Sequence, residues 1–126
     1  MDDAELVLKV EEFASLARDL GDTEVEQFWN DVAAKLAESI FRNEQSALEK
    51  EAVWALRLNE TAFKEHLLKV IKQTEPTKMA EYFSTIGSAA NAAQQRGVIS
   101  PEQADMIRRV TNELERELND QEEGSL

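Results

Sequence analysis

Few side chains in this sequence carry reactive chemistry. Among 126 residues there is one histidine, His66, and no cysteine. A thiolate nucleophile, a thiolate metal site and a disulfide framework are therefore all excluded. Helical metal sites gather several ligands on one face, three or four residues apart. His66 has Ala62, Phe63, Lys69 and Val70 at those spacings, and none of them is a ligand. A packed or half-exposed structural histidine is expected, not a general base.

Carboxylates are plentiful, but their spacing does not converge. All-helical nucleotide pyrophosphohydrolases hold Mg²⁺ with Glu-Glu-x-x-Glu and a later Glu-x-x-Asp. Here Glu11-Glu12 is followed by Phe13-Ala14-Ser15, so the third carboxylate is missing. Glu113, Glu115 and Glu117 are spaced by two, which scatters them around a helix. The four glycines form no phosphate-cradling loop. Serines lack a second imidazole to activate them. No catalytic, cofactor-binding or metal-ligating residue is expected.

Charge says more about partners. The net charge is −12, and it sits at the ends. Residues 1–31 hold ten acids and two bases, and residues 111–126 hold six acids and one base. Residues 32–110 are close to neutral. Such a chain repels nucleic-acid phosphates and anionic membranes. Direct nucleic-acid binding is not expected unless folding gathers Lys64, Lys69, Lys72, Arg108 and Arg109 into one patch. A protein with a basic surface is the expected partner. Two surfaces compete for that role: the acidic Glu11, Glu12 and Glu24, and an apolar face carrying Trp54 and Leu58, with Leu68 and Leu8 placed off the main stripes of their helices. The apolar face also predicts a homo-oligomer.

These residues must be positioned by helices. Leu6, Val10, Phe13, Ala17 and Leu20 recur at steps of four and three, and Gly21 follows as a cap. Thr23 and Glu26 form a capping-box pattern ahead of Val25, Phe28, Trp29, Val32, Leu36 and Ile40. Ser46 and Glu49 repeat the pattern. From there the apolar face continues to about Gln73, read as one long helix with a bend at Asn59; a break there gives two. Pro76 starts a further helix, which Gly97 ends, and its small-residue run 87–93 marks it as the most enclosed of the bundle. Ser100, Pro101 and Gln103 open the last helix with a complete capping box, and Ile107, Val110, Leu114 and Leu118 follow.

The expected fold is therefore all-α: a single compact bundle over residues 1–118 of five helices, or six if the middle segment breaks, with a short disordered acidic tail over 119–126. The start of the sequence has neither a basic n-region nor a long apolar run, and no stretch nears the ~20 apolar residues of a membrane span. With no cysteine, this fits a cytoplasmic protein. The leading functional expectation is a non-enzymatic adaptor, regulator or assembly factor that binds another protein. An acidic inhibitor that mimics nucleic-acid charge is one alternative, and an enzyme with a non-obvious helical site is another.

Overall fold

The computed structural model describes the backbone of residues 2–41 and 57–124 and the side chains of residues 2–40 and 57–118. Among the described residues there are five helices and no strand: α1 (Asp3–Asp19), α2 (Thr23–Phe41), α3 (Glu60–Gln73), α4 (Pro76–Gln95) and α5 (Pro101–Gly124). The bundle is all-α, as the 3.6-residue period requires. No described helix is long and apolar enough to cross a membrane.

The helix ends follow from local chemistry. Asp2 caps α1 by accepting a bond from the Glu5 amide at 2.8 Å. Beyond α1 the chain turns through Gly21 at φ +79°. The amides of Gly21 and Asp22 then return to the carbonyls of Arg18 and Ala17, at 3.0 and 2.8 Å. That pair of bonds is a Schellman motif. The end of α4 repeats it. Gly97 has φ +73°, its amide reaches Gln94, and the Val98 amide reaches Ala93 at 2.7 Å.

Each motif closes a helical hairpin, α1 with α2 and α4 with α5. Helix α3 lies between them and touches both α2 and α5. An aromatic cluster joins four of the elements. Phe13 of α1 meets Trp29 of α2 at 5.1 Å and Tyr82 of α4 at 5.3 Å, while Trp29 also meets Phe28 and, at 6.4 Å, Phe63 of α3. The rings meet edge-on, the arrangement their quadrupoles favour. The residues expected at stripe centres, Phe28, Val32, Leu36, Phe83, Ile86 and Ile107, are all buried.

Three expectations about elements are corrected. The chain does not run as one helix through Asn59. Residues 57–59 are non-helical, and Asn59 caps α3 by accepting from the Ala62 amide at 2.9 Å. An Asn side chain competes for backbone donors and so favours a start over an interior position. The helix expected from Ser46 lies outside the described residues. Helix α4 is not the most enclosed: Ser84, Ser88, Asn91 and Gln95 are exposed along one side. A methyl group added at Gly87 would meet nothing within 4 Å, so its small size is not demanded by a close neighbour. Helix α2 begins at Thr23 itself, so Asp22 holds the preceding position and its carbonyl accepts from the Glu26 amide at 2.9 Å.

Candidate functional site

A partly buried polar cluster ties α3 to the α1–α2 corner. In a Schellman motif the residue after the glycine usually packs an apolar side chain against the helix it leaves. Here that residue is Asp22, and its side chain is mostly covered, at 13% exposure. One of its carboxylate oxygens lies 2.7 Å from His66 Nδ1, and the other accepts from Lys69 Nζ at 2.8 Å. His66 and Lys69 share a face of α3 because they are three residues apart. Asn59 sets where α3 begins, and Gly21 sets where Asp22 points.

The protonation states follow from these contacts. Burial alone would raise the Asp22 carboxyl, but the bonds from Lys69 and His66, with their charges, hold it below the ordinary carboxylate value. Asp22 is thus an acceptor at neutral pH, and the His66 hydrogen belongs on Nδ1. Burial pushes His66 below its ordinary value; Asp22 pulls it back up and Lys69 pushes it further down. The ring is therefore neutral, with its lone pair on Nε2.

An imidazole held at Nδ1 by a carboxylate has the form of an acid–base pair, in which Nε2 does the work. A general base must come within about 2.6–3.2 Å of the proton it takes. His66 has no solvent exposure, and its buried Nε2 has no hydrogen-bond partner among the described residues. In this conformation the pair fastens α3 to the α1–α2 corner. A cation placed beside Asp22 would also meet the Lys69 ammonium. The expectation of a structural histidine agrees with this geometry, though the ring is fully packed.

Other polar side chains also join elements. Arg109 of α5 makes a two-pronged bond to Glu60 of α3, at 2.7 and 3.1 Å, and holds that carboxyl below its ordinary value. Gln103 does not turn back to complete its own capping box. Ser100 accepts from the Gln103 amide at 3.2 Å, while the Gln103 side-chain carbonyl reaches the Leu58 amide at 3.0 Å. Arg108 bonds Asn91, Gln94 and Asp105. Arg96 bridges Asp3 and Ser39. Of the five basic residues considered for a phosphate-binding patch, Lys69, Arg108 and Arg109 each hold an acidic partner.

The candidate partner residues fall in different places. Leu58 is buried at 5% exposure within its own chain. Trp54 lies outside the described residues. Glu11, Glu12 and Glu24 are all exposed, the first two on α1 and the third on α2. Glu12 pairs with Lys9 at 3.5 Å. Glu24 borders a concavity of about 620 Å³ with Gln27, Phe28, Asp31 and Asn59. Glu11 of α1 and Glu26 of α2 both line a groove of about 350 Å³ between these helices, together with Ala14, Ala33, Ala34, Arg18 and Asn30. Leu8 and Leu68 are the exposed large apolar side chains among the described residues.

Sequence reasoning missed Asp22, Glu26 and Gln103 as working residues. A signal for Asp22 existed: an acid directly after a helix-ending glycine, where an apolar side chain is usual. Compared with known protein families, curated proteins and solved structures, the chain matches none.

Proposed function

We propose that this chain is a non-enzymatic cytoplasmic interaction domain whose α1–α2 hairpin binds a basic surface of another protein. One observation carries the reading: Glu11 of α1 and Glu26 of α2 line the same groove between these helices, beside Ala14, Ala33 and Ala34 and a single base, Arg18. Small side chains in the groove leave room for the stem of a Lys or Arg side chain, and the two carboxylates suit its charged head. The excess of acids over the first 31 residues adds long-range attraction, which acts mainly on the rate of encounter. The apolar alternative loses one of its two residues, because Leu58 is already covered by its own chain. Self-association through the exposed Leu8 and Leu68 is a smaller part of the proposal, read by light scattering of the purified protein.

The test is affinity capture at low salt with the wild-type chain and with a variant carrying Glu11→Gln, Glu12→Gln, Glu24→Gln and Glu26→Gln. Circular dichroism checks that the variant folds. A bound protein that is lost on the variant, and lost from the wild type as salt rises, supports the proposal. The same protein retained equally by both chains overturns it. If duplex DNA displaces the captured protein in competition, the partner is a nucleic-acid binder, and the mimicry form of the same acidic recognition applies.

A further inference from the structure

We propose that the Asp22–His66–Lys69 junction is an acid-sensitive latch, holding α3 on the α1–α2 corner at neutral pH and loosening it when His66 takes up a proton. The inference rests on what surrounds the ring. His66 Nδ1 is committed to Asp22 at 2.7 Å. The other nitrogen, Nε2, is buried and makes no hydrogen bond among the described residues. A proton arriving at Nε2 would create an N–H group with nothing to bond, and would place a positive ring beside the buried Phe63, Leu67 and Val70 of the same helix. The docked helix therefore refuses a proton that the detached helix accepts freely.

The charged groups that act on the ring are few. Asp22 faces it from the α1–α2 corner, and Lys69 acts from α3 itself. Glu24 of α2 and Glu65 of α3 line a small cavity beside Asp22, but neither acts on the ring. Among the described residues, α1, α4 and α5 bring no charged group to bear on it.

The sign follows from the direction of the shift. His66 is held below its ordinary value of 6.5 when docked. Its contribution to docking is complete above that pH and is lost as pH falls from there towards the depressed value. Asp22 is also depressed, below its ordinary 3.8, so it weakens docking only in stronger acid. Across mildly acidic pH the histidine is the group that acts. The effect is read on α3 because His66 and Lys69 both lie on it; the buried Phe63, Leu67 and Val70 still pack it on the core, so protonation loosens its seat.

Hydrogen exchange read by mass spectrometry, corrected for intrinsic rates, tests this between pH 7.5 and 5.0. Protection in α3 should fall by up to about tenfold per pH unit below 6.5, while α1, α2, α4 and α5 keep theirs. His66→Leu should remove that dependence. The single imidazole gives one Cε1–H resonance in the wild-type NMR spectrum, and it should titrate below 6.5. Should His66→Leu fail to fold, the two wild-type measurements decide. An imidazole titrating at or above 6.5 overturns the latch. So does α3 protection that is flat across the range, or an equal fall in His66→Leu.

Discussion

Gly21 and Gly87 show how two identical residues serve opposite ends. Gly21 sits at φ +79°, a backbone conformation that side-chain-bearing residues adopt at a cost, although open space surrounds its missing Cβ. Gly21→Ala should therefore destabilise by ~1–2 kcal/mol through the backbone alone. Gly87 lies inside α4, with the same open space and no positive φ. Gly87→Ala should stabilise by ~0.5–1 kcal/mol, because alanine loses less freedom on entering a helix. Urea midpoints of the two variants should move in opposite directions. Phe28→Ala removes a ring packed edge-on against Trp29 and should cost ~3–5 kcal/mol by the same measure. The buried positions of Phe28 and Ile107 were legible because a stripe centre depends only on spacing along one helix. The partner of His66 was not. It lies 44 residues away in sequence, and no local pattern reports a bond between two elements.

At the level of elements, starts and stops were legible wherever a side chain satisfies a backbone group nearby. Ser100 caps α5 and Gly97 ends α4 as their residue types suggest. The expectation failed where a side chain had two options. Gln103 is well placed to complete a local box, yet it serves the Leu58 amide instead, at a site only the folded chain creates. Leu58 is nearly covered, so losing that acceptor strands a donor away from water. Gln103→Ala should cost ~1–3 kcal/mol and speed hydrogen exchange at the Leu58 amide more than at Ala104. Asn59→Ala removes the α3 cap and should cost about 1 kcal/mol. Equal exchange at Leu58 in the wild type and in Gln103→Ala would show that the bond is not made in solution.

For the whole molecule, charge was legible in amount but not in arrangement. Lys69, Arg108 and Arg109 each pair with an acid of the same chain, which lowers the charge they can offer a phosphate. Fluorescence anisotropy with duplex DNA at about 0.15 M salt, where screening limits the reach of charge to ~8 Å, should show no binding. Nanomolar binding under those conditions would contradict the electrostatic argument.

The two glycine turns also order the assembly of the chain in time. Each joins helices that are neighbours in sequence, so closing either hairpin requires only a short loop. The bonds that seat α3 join residues 44 to 49 positions apart. Contacts between distant residues carry a larger loop entropy and tend to form late. Substitutions in the hairpins, such as Val10→Ala, should therefore slow refolding. Substitutions in α3, such as Leu67→Ala, should leave the refolding rate nearly unchanged and accelerate unfolding instead. Stopped-flow measurements on the two variants would separate the hairpins, present at the rate-limiting barrier, from a third helix that arrives after it.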